Sequence, residues 1–134
     1  GGIRNDELKE VIQIKVPVLQ DFIIEKSAQV GYNFTYKAKH KMRVATLAMG
    51  YADGLPRTLS NIGKLFYGNI PCPIIGRISM DLVTVDISNL PQTPRYLCVF
   101  SPEYQVDDFA KDCKTISHEV LVNLGERVSR VYSK

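Results

Sequence analysis

Short apolar segments separated by turn residues constrain the fold of this 134-residue chain more than any other feature of its sequence. The clearest example comprises three segments suited to strands, 64–67, 70–75 and 78–87, divided by Gly68-Asn69 and by Gly76. Glycine and asparagine adopt the positive φ values that tight hairpin turns need. The pattern therefore predicts a β-hairpin followed by a further antiparallel strand.

The same strand pattern recurs before and after this region. Residues 11–16 alternate, with Ile12, Ile14 and Val16 on one face, as in a half-buried strand. Pro17 lacks a backbone N–H, so we expect it to end this strand or to place it at a sheet edge. Further strands are predicted at 19–26, 33–37, 42–49, 96–100 and 127–132.

Two short helices are predicted near the C-terminus. The first covers 106–113, with Asp107 as its N-cap. The second has Ser117 as its cap and ends at Gly125, and its apolar stripe consists of Ile116, Val120, Leu121 and Leu124. Many short strands with two late helices indicate a mainly β fold, in one domain spanning 1–134. We expect a closed or nearly closed antiparallel barrel with Greek-key connections.

Composition excludes several classes of function. The net charge of +3 is spread along the chain, which argues against a nucleic-acid partner, and no apolar run is long enough to cross a membrane. The first residues lack the features of a signal peptide, so we expect a cytoplasmic protein. Cys72, Cys98 and Cys113 are widely spaced in apolar segments and predict buried free thiols, and neither they nor the isolated His40 and His118 predict a metal site.

Three motifs remain that this fold alone does not explain. They are GYNFTY at 31–36, GYADG at 50–54 followed by Pro56-Arg57, and GRISMD at 76–81. In this order they resemble the C-terminal domain of alanine racemases, and the resemblance covers about residues 8–130. Alanine racemases use pyridoxal 5′-phosphate, which a lysine holds on a separate N-terminal (β/α)8 barrel domain. The resemblance implies that this barrel, and the cofactor with it, is absent from the 134 residues.

The resemblance also implies roles for individual residues. Tyr32 matches the catalytic tyrosine that acts as acid and base on one face of the substrate, and a phenol suits this task once the cofactor has raised the acidity of the carbon. The remaining matches are Met80, whose backbone amide binds the substrate carboxylate, Tyr51 and Arg77 in the substrate corridor, and Asp53 and Asp81 as loop support.

Without the resemblance, the same residues have structural interpretations. Tyr32 would be a turn tyrosine, Tyr51 an amphipathic residue at a strand end, and Met80 a gap-filling residue of the core. Asp53 and Arg57 suggest a local salt bridge that would stabilise the Tyr51 turn by at most about 1 kcal/mol.

Four positions depart from the usual family pattern. Asn33 and Phe34 follow the catalytic tyrosine, where a glycine and a small residue are commoner, although asparagine tolerates the positive φ that a turn there could require. Ser129 replaces a proline in the closing segment. Glu126 stands where some racemases have a phosphate-contacting tyrosine, and its carboxylate would repel a phosphate. No phosphate role is therefore assigned to this chain.

The resemblance implies an enzyme that interconverts L- and D-alanine for peptidoglycan synthesis. The tyrosine and the cofactor lysine would belong to different subunits of a head-to-tail homodimer, so this chain would contact the barrel domain of its partner. The chain alone is then expected to be inactive. Two alternatives remain, a related serine or broad-specificity amino-acid racemase and a non-catalytic β-barrel assembly module.

Overall fold

A computed structural model of the chain describes residues 13–30 and 36–114. It contains eight strands and one α-helix within these residues, together with two 3₁₀ turns, Tyr51–Asp53 and Arg57–Leu59. The elements in chain order are β1 Lys15–Ile24, β2 Gln29–Val30, β3 Tyr36–Lys37, β4 Met42–Leu47, β5 Lys64–Tyr67, β6 Ile70–Pro73, β7 Val83–Asp86, β8 Tyr96–Cys98 and α1 Val106–Asp112.

Six of the strands form one antiparallel sheet in the order β6-β5-β8-β1-β4-β7, and β2 pairs with β3. The prediction of a mainly β, antiparallel fold is therefore confirmed. The predicted closure into a barrel is not confirmed. Among the described residues, the edge strands β6 and β7 meet only through an isolated bridge between Ile74 and Val85 and a 2.9 Å hydrogen bond from the Ile75 N–H to the Thr84 carbonyl. One bridge and one hydrogen bond do not form a continuous β-ladder between β6 and β7.

Strand β1 is longer than predicted and runs through Pro17. Its first three residues pair with β8, and the residues from Val18 onward pair with β4, with a register shift between Val18 and Gln20. Pro17 therefore lies where the pairing passes from one neighbour to the other, and its carbonyl still accepts a 3.0 Å bond from the Ala48 N–H. Both predicted alternatives for Pro17 were wrong, since the strand continues through it and β1 lies between β8 and β4 in the sheet. A missing donor costs little where the pairing changes partner.

The predicted hairpin is confirmed, with β5 and β6 joined by Gly68-Asn69 and Gly68 at φ 61°. The two strands predicted around it are shorter than expected. Strand β6 ends at Pro73, and the predicted strand 78–87 begins only at Val83. Residues 79–82 instead form a tight turn, in which the Ser79 Oγ accepts a 3.1 Å bond from the Leu82 N–H. Serine side chains often compete with strand pairing in this way.

Helix α1 confirms the first predicted helix, but its cap is different. The helix is preceded by Gln105, not by Asp107, and the Gln105 N–H donates to the Asp108 carboxylate at 3.0 Å. This is half of a capping box, with the acid at the third helical position. Aromatic contacts hold the helix on the core, where the ring centroids of Phe109 and Phe100 are 5.6 Å apart. The second predicted helix and the strand 127–132 lie outside the described residues.

The main core lies on the inner face of the sheet and includes the fully buried side chains of Leu47, Leu65, Leu97 and Phe100. Cys72 and Cys113 are buried and Cys98 is half-buried, all as free thiols. Within the described part of the chain, no helix has the length and apolar character needed to span a membrane.

Candidate functional site

Two of the three motifs lie against each other through their backbones. The Tyr51 N–H donates to the Ser79 carbonyl and the Ala52 N–H donates to the Met80 carbonyl, each at 3.0 Å. These bonds join the turn after β4 to the turn before β7, which are 28 residues apart in sequence when counted from Tyr51 to Ser79. The contact fixes the position of Tyr51 relative to Met80 without any side-chain bond.

Gly50 permits this close approach. A Cβ atom at this position would lie 2.3 Å from the Ser79 oxygen and 2.4 Å from the Met80 oxygen. Both distances are far below van der Waals contact, and both partners are backbone atoms that cannot rotate away. Gly50 itself has an extended backbone, at φ −145°, so the motif needs glycine here for space and not for conformation.

Asp53 holds the Tyr51 turn from within. Asp53 is only 8% exposed, and its carboxylate accepts a 3.0 Å hydrogen bond from the Gly50 N–H, while the Asp53 N–H donates back to the Gly50 carbonyl at 3.0 Å. The turn ends at Gly54, whose φ of 100° suits glycine. The predicted Asp53–Arg57 salt bridge stays a prediction.

Arg57 stacks on the ring of Tyr51. Its guanidinium carbon lies 4.9 Å from the ring centroid, within the range of a cation–π contact. The Tyr51 side chain is 40% exposed. A planar cation on one face of the ring restricts how the tyrosine can turn while leaving its other parts accessible.

Met80 lies at the surface and not in the core. Its side chain is 51% exposed and lines a shallow pocket of about 390 Å³, here called the methionine pocket, formed by Tyr51, Ser79, Met80, Asp81 and Leu82. The Met80 carbonyl is bound by Ala52, but its N–H donates to no acceptor among the described residues. The position of this donor is set by the backbone contacts between the Tyr51 turn and residues 79–80.

Arg77 is held between two backbone anchors. The Gly76 N–H donates to the Asn61 Oδ1 at 2.5 Å, and the Ile78 N–H donates to the Ser60 Oγ at 2.9 Å. The exposed Arg77 side chain lines a second pocket of about 340 Å³, here called the arginine pocket, formed by Arg57, Ser60, Arg77 and Ile78. Sequence reasoning did not identify Ser60 or Asn61, because neither belongs to a recognised motif and their partners lie 15 to 18 residues away.

Arg57 connects the two pockets, since it lines the arginine pocket and stacks on Tyr51 of the methionine pocket. The structure therefore brings Tyr51, Arg77 and Met80 together on one exposed surface, with Asp53 buried in the Tyr51 turn and Asp81 lining the methionine pocket. Tyr32, the catalytic candidate, belongs to the segment 31–35 between β2 and β3, which lies outside the described residues.

The chemistry of this surface favours an anion. Two guanidinium groups and one carboxylate line the pockets, and guanidinium groups bind carboxylates with paired hydrogen bonds. Of the described residues that line the two pockets, none is a lysine or a histidine. Among the described residues, no group of three or more His, Cys, Asp or Glu could hold a metal ion.

The strongly perturbed ionisable groups lie elsewhere, in the core. Burial raises the pKa of Cys72 to about 11, with a smaller contribution from Asp86, and raises the pKa of Cys113 to about 12. The pKa of Tyr104 is raised by burial and by the hydrogen bond that its hydroxyl donates to Asp112. None of these groups lines the two pockets, and their shifts stabilise neutral forms within the fold.

Comparison with known proteins gives the same family as the motifs. The family model described as "Alanine racemase, C-terminal domain" matches residues 11–132. An alanine racemase of Cereibacter sphaeroides is 46% identical over 132 residues, which are 98% of this chain and 38% of that protein. An alanine racemase of Brucella ovis is 45% identical over 91% of this chain and 32% of its own length.

Solved structures agree. Alanine racemase from Bartonella henselae, with covalently bound pyridoxal phosphate, superposes with a TM-score of 0.80 at 35% identity and covers 86% of this chain and 33% of its own. The biosynthetic alanine racemase of Pseudomonas aeruginosa gives a TM-score of 0.76 at 30% identity, over 87% of this chain and 33% of its own. The chain thus spans about a third of the length of these relatives. It belongs to the alanine racemase family and corresponds to the C-terminal domain of those enzymes.

Proposed function

We propose that this chain forms part of an alanine racemase that interconverts L- and D-alanine. The observation that carries the proposal is the surface around Met80, whose N–H donates to no acceptor among the described residues and lies beside Tyr51 and near two arginines. An amino-acid substrate presents a carboxylate, which is the group that such a surface binds. The reaction would take place in the cytoplasm and supply D-alanine for peptidoglycan.

The Met80 amide would bind the substrate carboxylate. A backbone donor is useful here because its direction is set by the Ala52 and Tyr51 hydrogen bonds and does not depend on a flexible side chain. The exposed Met80 thioether would form the pocket wall. Asp53 and Asp81 would support the loops that carry this donor.

Tyr51 and Arg77 would line the corridor by which substrate reaches the site. Both side chains are exposed, and Arg57 ties them into one surface by stacking on Tyr51. Neither residue would move a proton. Their contribution would be to guide a carboxylate-bearing molecule and to exclude larger ones.

Tyr32 would hold and return the proton at the substrate α-carbon on one face. A positioned phenol can do this when a neighbouring group favours its ionised form. The site would belong to the barrel domain of a second subunit in a head-to-tail homodimer, so Tyr32 would act across the subunit interface.

The cofactor itself does not fit the pockets of this chain. Pyridoxal phosphate needs a lysine for its aldehyde, and none of the described residues that line the two pockets is a lysine. We therefore assign the cofactor to the part of the enzyme that lies outside the region matched by this chain, where it would lower the barrier to removing the α-proton.

A hybrid enzyme tests this proposal. In it, this chain replaces the matching C-terminal region of the Cereibacter sphaeroides racemase, which keeps its own cofactor-binding part. Within the hybrid, Tyr32→Phe should lower the racemisation rate by about two to four powers of ten, because only the proton-handling hydroxyl is lost. Cofactor absorbance should be unchanged. A Tyr32→Phe hybrid that keeps near-normal rates in both directions would contradict the catalytic role.

Mixing subunits tests the sharing of the site. One hybrid carries Tyr32→Phe, the other lacks the cofactor lysine, and each alone should be inactive. In an equal mixture that exchanges subunits, half the dimers contain one complete site of two, so about a quarter of the normal activity should return. No recovery after demonstrated exchange would mean that the tyrosine and the lysine act within one subunit.

A further inference from the structure

One short segment connects the two arginines of the arginine pocket. The 3₁₀ turn Arg57–Leu59 is followed directly by Ser60 and Asn61, and the Ser60 N–H donates to the Arg57 carbonyl at 3.0 Å. The same two residues then reach across to the Arg77 loop. The segment therefore fixes one arginine through its backbone and contacts the other through its side chains.

The hydrogen bonds from Ser60 and Asn61 reach the residues before and after Arg77, and they do not involve the N–H or the carbonyl of Arg77 itself. Asn61 binds the amide of the residue before it, at 2.5 Å, and Ser60 binds the amide of the residue after it, at 2.9 Å. Two fixed points on either side of a residue determine the direction of its Cα–Cβ bond. The Arg77 side chain then leaves the backbone toward the pocket that it shares with Arg57.

These bonds are difficult to replace. Gly76 and Ile78 are both buried, so an amide that lost its partner would have no ready access to water. The loop would have to rotate to regain a hydrogen bond, and Arg77 would turn with it. Asn61 and Gly76 also adopt left-handed conformations, at φ 64° and 76°, which shape the two chains for this contact.

We propose that Ser60 and Asn61 are positioning residues for Arg77, and that they set the direction from which its guanidinium meets a carboxylate-bearing substrate in the corridor. The inference rests on the proposed function for its consequence in catalysis. The positioning itself does not depend on that function, because it is a property of this loop.

Amide hydrogen exchange on this chain tests the positioning alone. Ser60→Ala removes the acceptor, and Ser60→Thr keeps it as a matched control. In Ser60→Ala the Ile78 amide should exchange at least about tenfold faster, while in Ser60→Thr its rate stays near normal. Amides of Val44 and Val85 in the core should be unchanged in both. Faster exchange throughout the chain, or an unchanged Ile78 amide, would overturn the positioning role.

Asn61→Gly provides the second variant. Glycine accepts the left-handed backbone of this position, so the substitution removes the side-chain acceptor with little conformational strain. The Gly76 amide should then exchange at least about tenfold faster while the Ile78 amide changes less. If Gly76 keeps its protection, Asn61 does not hold the loop.

Kinetics in the hybrid enzyme test the consequence. Ser60→Ala should lower kcat/KM for alanine by about three- to tenfold and change kcat by less than about twofold, because the chemical step itself is untouched. Ser60→Thr should restore kcat/KM. In an Arg77→Ala background, Ser60→Ala should have no further effect, since it acts through Arg77.

The outcomes separate the two proposals. If Arg77→Ala leaves kcat/KM unchanged, the corridor role of Arg77 fails, and the exchange data still decide whether Ser60 and Asn61 position it. If Arg77→Ala lowers kcat/KM but Ser60→Ala adds an independent loss, Ser60 acts elsewhere and the inference fails while the corridor role stands.

Discussion

At the scale of single residues, the candidate site depends on the absence of a side chain at Gly50. Gly50 lies so close to the carbonyls of Ser79 and Met80 that any side chain would strike backbone atoms. The neighbouring Tyr51 and Ala52 amides can therefore reach those two carbonyls. A sequence does not show whether a glycine is needed for a positive φ or for close backbone contact. The motif therefore indicates a turn but does not indicate the contact of Gly50 with residues 79–80.

Replacing this glycine should be more damaging than replacing one in an open turn. We expect Gly50→Ala to lower the free energy of unfolding by about 3 kcal/mol, because the new Cβ forces the two motif loops apart. Gly68→Ala is the matched control, since nothing lies within 4 Å of its Cβ position and only the left-handed backbone is strained. That strain costs about 1–2 kcal/mol. Urea titration of both variants measures the difference, and equal losses would refute the close-packing argument.

At the scale of elements, the sequence predicts structure that depends on neighbouring residues and does not predict structure that depends on residues distant in the chain. The β5–β6 hairpin was predicted because its turn residues and both strands are adjacent in sequence. Pro17 was misjudged because its effect depends on which neighbours pair with β1 at that point. The apolar pattern of residues 78–82 predicts a strand, because it does not reveal that the Ser79 hydroxyl closes a turn. Similarly, nothing near Ser60 and Asn61 indicates the amides that they bind.

The cap of α1 provides a test at this scale. Asp108→Ala removes the acceptor of the Gln105 N–H and should destabilise the fold by about 1 kcal/mol. Asp108→Asn is the matched control, because its amide oxygen can still accept the bond. Thermal unfolding of the two variants compares them directly. If alanine and asparagine have the same effect, the capping bond contributes nothing and charge alone matters.

At the scale of the whole molecule, the fold keeps two thiols neutral. Burial raises the pKa of Cys72 to about 11 and that of Cys113 to about 12, whereas in an unfolded chain thiols ionise near their ordinary value of 9.0. Above pH 9 the unfolded state therefore binds fewer protons than the folded state, and stability falls as the pH rises. Below pH 9 the thiols contribute no pH dependence.

This predicts a loss of stability in alkaline solution that can be assigned to the cysteines. The contribution of the thiols to the unfolding midpoint in urea should be nearly constant between pH 7 and about pH 8.5. It should decrease from there toward pH 10.5. A Cys72→Ala, Cys113→Ala double variant should begin less stable but lose less over the same range. An identical fall in both proteins would assign the effect to other groups, such as lysines and tyrosines.

The central claim is that this chain completes an alanine racemase site, and the activity of the hybrid enzyme tests it most directly. The hybrid with this chain in its native sequence is incubated with L-alanine and, separately, with D-alanine, and the opposite antipode is measured. Because the two antipodes have the same free energy in water, the account predicts racemisation in both directions with equal kcat/KM. A folded, cofactor-loaded hybrid that converts neither antipode would contradict it.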